Sequence, residues 1–582
     1  MKFNRIFSGL LTLAFFASCG GGEQEEKKEK GNNEVVMHIL HEPQQLNPYN
    51  NTTAISSRIV SNIFQQLQEY DFQSYELKPS LAKSKPETVE NADSTMSIIF
   101  EIRDEATWPD GSPVTAKDIE FTLKLLKNPH VDCASYRPYY EAYDDMMIDP
   151  SNPKKFTTHC KTYHLAVLNL SEMRVLNKKV FDPKGLLDKF SIKELTYNAK
   201  ALESNPVLKE QAEFFNKSFN KSLPENAGSG PYQFEKWESF QYLKLKKNKN
   251  WWGHKVQGSD STIFYARPDA LVYKVIDDDN TALVSFKSGK LDVMSIPPHD
   301  FKELSQDAEM QKKFHFLTPD AFSYFYMGLN MRNKKLKDLL VRKALSQLVD
   351  VDKIIETVEY GYAKRLNNFI HPLDKLNYNT EIKPVAFDVE AAKKLLAQSG
   401  WTDSNGDGVV DKTIDGEKVD MELTIIYAKE NKQAEKISEY FQISAKRAGV
   451  KVIILPKDGN ILFEDMAKHN FELYLAGWSY SSPSESDPAQ LWHTTSTLDG
   501  GSNYTGFGDA KSDAVIDQLR RTVDPAKRAE YYKQLQQMVS DAVPYIFLYT
   551  GKRKLAVSKR FTNVEASATT PGFDVGKFTL VP

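Results

Sequence analysis

Cysteine is scarce in this chain, with three in 582 residues. So few exclude a disulfide-dense scaffold, and no C-x-x-C pair points to a redox or zinc site. An excess of either charge is also missing: Lys and Arg number 75 and Asp and Glu 78, a formal charge of −3. That balance argues against a nucleic-acid partner, whose phosphates are usually met by a basic excess. No apolar run reaches the ~20 residues needed to span hydrocarbon. No repeat of fixed period marks a solenoid or propeller. Catalytic signatures are absent too. There is no G-x-S-x-G elbow, no H-E-x-x-H and no Walker A loop, and Pro43 after His41-Glu42 stops any zinc helix there. With 78 acids, carboxylate pairs arise by chance and do not single out a hydrolase. Nothing calls for a cofactor, and the residues argue against an enzyme.

What is present is a large globular chain. Its length corresponds to about four domains' worth of residues. Hydrophobic residues make up 41% and charged residues 26%, both globular values. Tyr (27) and Phe (33) are abundant, which suits a ligand cavity as well as a large core. The N-terminus reads as a secretory leader: Lys2 and Arg5, an apolar run over 6–16, then Ala17, Ser18 and Cys19. Phe16-Ala17-Ser18-Cys19 resembles a bacterial lipobox, in which the cysteine thiol takes a diacylglyceryl group. Residues 1–18 are then the signal, and 19–33 a lipidated Cys19 with a Gly-rich, charged tether. The expectation is a soluble body held to a bacterial membrane by its N-terminal lipid, in the periplasm or at the cell surface. Outside the cytoplasm Cys133 and Cys160 form a possible disulfide, closing a loop for roughly 3–4 kcal/mol in the chain-entropy model; the alternative is two separate buried thiols.

Both periodicities run through the body. Residues 35–40, 423–427 and 450–454 read as short buried strands. A helix opens at Thr115, with Asp118 as an acidic capping-box partner. Others cover 388–398, stopped at Gly400, and 434–448, ended by Gly449, and two more cover 511–522 and 526–539. Alternating strands and helices predict an α/β protein of more than one lobe. Residues 403–411 fit the first half of a calcium loop, but Ile414 stands where the bidentate Glu belongs. They read as a Gly/Asn/Asp turn, leaving at most a weak site through Asp411. His41 and His493 are isolated, and isolated histidines are more often structural than metal ligands.

Several blocks together resemble the bacterial extracellular solute-binding proteins of family 5, the dipeptide-, oligopeptide- and nickel-binding components of ABC importers. They are Leu77-Lys78-Pro79-Ser80-Leu81-Ala82; Phe100-Glu101-Ile102-Arg103-Asp104 with Trp108-Pro109-Asp110-Gly111; Gly228-Ser229-Gly230-Pro231-Tyr232 with Asn248 to Gly253; Ser288-Gly289-Lys290-Leu291-Asp292; Val341-Arg342-Lys343-Ala344-Leu345; and Ala391 to Trp401. They keep the family's order and cover nearly the whole mature chain. Asp110-Gly111 also makes sense as a hairpin turn, and Gly228 and Gly230 as places where positive φ is needed. The resemblance implies a periplasmic-binding-protein type II-like α/β fold, three-lobed, with two major lobes joined by a hinge. Lobe I would comprise 34–75, 225–315 and 545–582, lobe II 76–224, and lobe III 316–544. It further implies a monomer that delivers a peptide or similar small solute to an ABC permease and its ATPase. The alternatives are a sensor or chaperone on the same scaffold or, less favoured, a secreted hydrolase.

The resemblance also places a site. In peptide-binding members an extended ligand pairs by backbone with strands of both major lobes. Here Leu46-Asn47-Pro48 puts Thr52, Thr53 and Ala54 at the cleft, and Ala476-Gly477-Trp478-Ser479-Tyr480-Ser481 forms the facing strand. Tyr136, Tyr139 and Tyr140 fall where lobe II contributes an aromatic; a Tyr-rich lobe surface explains them equally well. Peptide binders carry an Asp three residues after that Trp, to neutralise the ligand's ammonium; this chain has Ser481. Glu485 and Asp487 are the candidates to replace it, unless both are solvent-facing loop acids.

Overall fold

The computed structural model describes residues 32–50, 53–161, 169–480, 487–498 and 501–582. A seven-stranded sheet lies in the order Phe314–Leu317, Leu555–Ser558, Val293–Ser295, Glu34–Ile39 (β1), Ala270–Val275, Tyr242–Lys247, Tyr232–Glu238. β1 pairs parallel to Ala270–Val275 along its whole length, from Glu34↔Ala270 to Ile39↔Val275. Its alternation explains the placement: Val35, Met37 and Ile39 are buried and the residues between them half-buried. The strand stops before Leu40, which is exposed.

A six-stranded sheet runs Ala363–Arg365, Tyr545–Gly551, Ser323–Leu329 (β2), Leu473–Ser479 (β3), Glu422–Ala428, Lys451–Lys457. A smaller four-stranded sheet, formed by Glu87–Glu90, Met96–Glu101, Lys155–Cys160 and Tyr143–Ile148, interrupts the first sheet's sequence after β1. The strand Tyr545–Gly551 (β4) corrects the reading that gave all residues from 545 onward to lobe I. It pairs antiparallel with β2, with Phe325↔Tyr549 and Gly328↔Tyr545 in register. Ile546, Leu548 and Tyr549 are buried in the core under the six-stranded sheet, and that burial holds β4 there. The chain returns to the seven-stranded sheet only at Leu555–Ser558.

The two passages between the large sheets lie side by side. Phe314–Leu317 and Leu555–Ser558 are antiparallel in one sheet, and β2 and β4 are antiparallel in the other. Between them the Ala321 amide donates to Gly551 O (3.1 Å) and the Arg553 amide to Pro319 O (2.8 Å). A two-stranded ribbon is therefore the covalent link between the two bodies, an arrangement suited to hinge motion.

Local signals explain the helices. In the helix Ala116–Lys127 (α1), Asp118 Oδ2 accepts from the Thr115 amide (2.9 Å) and Oδ1 from the Lys178 amide (3.1 Å). Val389–Gln398 is capped by Asp388 and ends at Gly400 with φ +86°. Gly228 and Gly230 turn out to serve close approach, not positive φ. A Cβ there would lie 2.0 and 2.6 Å from the Ile63 carbonyl oxygen. Asp403 accepts from the Gly406 and Gly408 amides, and Asp411 from Ser404, so the 403–411 segment is held as a turn by its own backbone.

The possible disulfide is not formed. Cys133 and Cys160 are both buried and unbridged. Cys133 Sγ sits 3.6 Å from Leu126 O and from Arg137 Nη2, at the end of α1. Cys160 closes its strand opposite Met96 and Tyr143. Each thiol is packed into its own surroundings, and burial pushes that of Cys133 up to about 11.

Candidate ligand-binding site

A second short helix, Ala54–Val60, starts where the sequence places one wall of the cleft. We call it the rim helix. Thr53 is its N-cap: Oγ1 accepts from the Ser56 amide (3.3 Å) and donates to Ser56 Oγ (2.9 Å). The Thr53 hydroxyl is thus committed to the helix end, while Ala54 is exposed. Thr52 lies outside the described residues.

The three tyrosines separate into different roles. Tyr140 is 5% exposed, and burial raises its phenol pKa. Tyr136 stands edge-on to Tyr49 with centroids 5.2 Å apart, and Arg174 Nη1 lies 3.4 Å from its hydroxyl. Tyr139 is 41% exposed, and its hydroxyl donates to Gln490 Oε1 (3.4 Å), in the body of the six-stranded sheet. Burial, and after it the charge of Asp487, raises its phenol pKa. The structure therefore brings Tyr139 and Asp487 together and leaves Tyr140 in the core.

Asp487 accepts from the Ala489 amide (2.9 Å), the first residue of the short helix Ala489–Trp492. Its other oxygen lies 3.1 Å from Arg520 Nε as an ion pair. Burial pushes this carboxyl up, against the pull of Arg520. Ser481 and Glu485 lie outside the described residues.

β3 supplies the opposite wall. It pairs with β2 along its full length, from Ser323↔Ser479 to Leu329↔Leu473. On its other side it pairs with Glu422–Ala428 only at Ile425↔Leu473 and Ile426↔Tyr474. Among the described residues the segment 475–479 is thus paired on one side only, and its backbone groups directed away from β2 have no strand partner. Gly477 and Ser479 on it are exposed; Trp478, paired with Tyr324, is half-buried against the aromatic core that includes Tyr324, Phe369 and Tyr474.

Sequence reasoning missed a cavity of about 390 Å³ beneath the rim helix, lined among others by Ala54, Arg58, Glu69, Arg174, Tyr273 and Asp574. The Arg58 guanidinium lies 5.9 Å from the Tyr273 ring centroid and 5.4 Å from that of Phe573. Among the described residues the guanidinium's one side-chain polar contact is Met37 Sδ at 3.7 Å, and burial lowers its pKa. Glu69 accepts from the Gln66 amide (3.3 Å) and Ser80 Oγ (3.1 Å), yet burial pushes it up to about 7. Asp574, accepting from the Gly576 amide (3.0 Å), is pushed up by burial to about 6. An arginine inside an otherwise weakly polar helix was the only local signal; Glu69 and Asp574 meet only through the fold.

Among the described residues the one cluster with metal-ligand spacing is His299, Asp300 and Glu303, whose donor atoms lie within 4.8 Å of one another on an exposed helix end. His493 accepts from the Thr495 amide (3.2 Å) as a local turn residue.

Two sheet-centred bodies joined by a paired ribbon, one of them with a strand paired on one side only over 475–479 among the described residues, have the hinged two-lobe fold of the type II periplasmic binding proteins. The chain belongs to the bacterial extracellular solute-binding proteins, family 5, whose model matches residues 76–500. It is similar to the oligopeptide-binding protein AppA of Bacillus subtilis, 26% identical over 564 residues, 94% of this chain and 91% of the relative. The dipeptide-binding protein of Escherichia coli is 23% identical over 508 residues, 84% of this chain and 83% of its own. The fold matches solved structures as well. That of AppA from Bacillus subtilis in complex with a nonapeptide gives a TM-score of 0.73 at 24% identity, covering 94% of this chain and 99% of that one. NikA from Brucella suis in complex with Fe(III)-EDTA gives 0.76 at 18% identity, covering 94% and 100%.

Proposed function

We propose that this solute-binding protein captures peptides between its two large lobes and hands them, unaltered, to an ABC permease driven by its ATPase. The observation that carries the reading is the one-sided pairing of β3. A strand edge offers amides and carbonyls at fixed spacing, and every extended peptide presents the same groups whatever its side chains. Backbone pairing through 475–479 therefore suits a receptor for many sequences. Gly477 keeps that edge open to close approach, and Trp478 flanks it. The names of the relatives, an oligopeptide- and a dipeptide-binding protein, support the same solute class.

The ammonium end of a peptide needs a carboxylate, because an unpaired buried charge is costly. Asp487 is held by Arg520 and the Ala489 amide, so Glu485 is the better candidate for that role beside Ser481. Thr52, Thr53 and Ala54 are the residues proposed to meet the ligand from the lobe I side, and Tyr139 donates to Gln490 from lobe II. The protein acts as a monomer, tethered through a lipid on Cys19 outside the cytoplasmic membrane.

Native mass spectrometry of protein purified from its own cell tests both parts. A peptide-sized species is expected in the cleft, and a mature N-terminus carrying acyl mass on Cys19. An apolar or inorganic guest overturns the peptide reading. An unmodified N-terminus overturns the anchor.

A further inference from the structure

Charge is divided along the strands of the seven-stranded sheet, and register fixes which strand ends share a side. The side where β1 begins also holds the start of Ala270–Val275 and the end of Tyr242–Lys247, through Glu34↔Ala270 and Ala270↔Lys246. Val293–Ser295 runs parallel to β1 and starts there too. Its antiparallel partner Leu555–Ser558 ends there, and Phe314–Leu317 starts there through Phe314↔Ser558. Lysines flank these ends. Lys313 precedes Phe314 and Lys559 follows Ser558; the Lys559 amide donates to Lys313 O (2.8 Å), so the two are cross-strand neighbours. Lys287 and Lys290 lead into Val293, and Lys249 lies just past Lys247. All five are exposed, and none forms an ion pair with a described residue.

Carboxylates on this side have other partners. Asp292, 3% exposed, accepts from Arg560 Nη2 (2.6 Å). Glu34 pairs with Lys244 (2.8 Å), Glu309 with Lys312 (2.6 Å) and Glu225 with Lys246. Asp269 stays exposed, with the exposed Arg267 two residues before it. The opposite side reverses the sign. Val275 leads into Asp277, Asp278 and Asp279, consecutive and exposed, and Glu42 lies beyond the end of β1. The ribbon to the six-stranded sheet also leaves from that acidic side, after Leu317 and before Leu555. Helix ends account for part of the pattern. Lys287 and Lys313 close the helices Asp279–Lys287 and Ala308–Lys313, where a cation suits the last carbonyls. They do not account for Lys249, Lys290 or Lys559. Nor do they explain two lysines set as cross-strand neighbours, an arrangement that destabilises a sheet.

We propose that the basic side of the seven-stranded sheet is a docking surface for an anionic lipid bilayer, on which the body rests with the ribbon side directed away. The five lysines are distributed over the six strands from Phe314–Leu317 to Tyr242–Lys247, a width of about 25 Å at ~4.8 Å per strand. A lysine held near an anionic leaflet raises partition about fivefold. β1 begins on this side, so the preceding chain joins the body here. That join favours a bilayer over a free polyanion such as nucleic acid, and the formal charge of −3 for the whole chain argues the same way. The contact is electrostatic and fades as salt shortens the screening length. It rests neither on a lipid at Cys19 nor on what the β3 edge holds.

Co-sedimentation with vesicles tests it, using the chain produced from residue 20 onward, which lacks Cys19 and any acyl group. Vesicles of equal parts phosphatidylglycerol and phosphatidylcholine are compared with phosphatidylcholine alone. Partition into the anionic vesicles is expected to be at least tenfold stronger in about 0.05 M salt, and most of it should be lost in about 0.5 M. The combined variant Lys290→Gln, Lys313→Gln, Lys559→Gln should weaken partition at least tenfold. Lys343→Gln, Lys394→Gln and Lys436→Gln together, exposed on the body of the six-stranded sheet, should leave it unchanged. Both variants should keep the parent's far-ultraviolet spectrum; if the first does not fold, Lys290→Gln alone should still weaken partition several-fold. Equal partition into neutral vesicles, indifference to the first variant, or an equal loss in the second would overturn the proposal. Tighter binding to a DNA duplex than to the anionic vesicles would overturn it in favour of nucleic acid. Because acylation of Cys19 is read separately from the mass of the native protein, failure here leaves the anchor standing.

Discussion

At the scale of single residues, Trp478 occupies two positions at once. Its ring packs against an aromatic core, yet its strand ends on an open sheet edge. Truncation should cost about half of the ~3–5 kcal/mol typical of a core Trp→Ala change, because the side chain is only half-buried. Trp478→Ala is therefore expected to fold, to melt a few degrees lower, and to bind its peptide roughly tenfold more weakly. Binding measured by fluorescence or calorimetry checks this; an unfolded variant would make Trp478 a core residue alone. Asp487 shows the opposite outcome. The sequence offered it as a ligand for an ammonium, and the fold gave it Arg520. Tyr139 and Tyr140 are adjacent and similar in type, but one is 41% exposed and the other 5%. Nothing in the local sequence separates them, because the difference is made by what packs against each.

At the scale of elements, the helix Ala116–Lys127 was readable from Thr115 and Asp118, since capping is decided within one turn. The packing of that helix was not. Asp118 is only 6% exposed and also accepts from the Lys178 amide, sixty residues on. Asp118→Ala removes an acceptor from two amides, of Thr115 and Lys178, and is expected to cost about 2–3 kcal/mol, more than the ~1 kcal/mol of an ordinary cap. The midpoint of urea unfolding measures this, and a change below ~1 kcal/mol would mean that the Lys178 amide finds another partner. β4 illustrates what local patterns leave out. Its apolar residues announce a strand, yet the sheet it joins depends on whether β2 or Leu555–Ser558 lies beside it.

At the scale of the whole molecule, the ribbon between the sheets is reinforced by a buried ion pair. Glu359, 2% exposed in the body of the six-stranded sheet, lies 3.0 Å from Lys554, the residue before Leu555–Ser558. The Tyr549 hydroxyl donates to the same carboxylate at 2.9 Å. Removing one partner of a buried pair leaves the other charge uncompensated and costs about 3–5 kcal/mol. Glu359→Ala is thus expected to lower the melting temperature and to loosen the relation of the two lobes. Small-angle scattering should then show a larger radius of gyration for the variant than for the parent. An unchanged radius would place the hinge's stiffness in the ribbon's backbone hydrogen bonds alone.

The sequence by itself determined the class. Caps, turns and strand periodicities are written over a few residues, and the ordered blocks from Leu77 to Trp401 were enough to name the family. It also determined that Trp478 and Gly477 lie on one strand, because adjacency along the chain needs no fold to establish it. Only the tertiary structure decided that 475–479 overhangs its neighbour, that Cys133 and Cys160 stay apart, and that Arg58, Glu69 and Asp574 line one cavity. These are meetings of residues far apart in the chain. Whether a charge is paired, or an edge open, depends on long-range packing, and no local pattern carries that information.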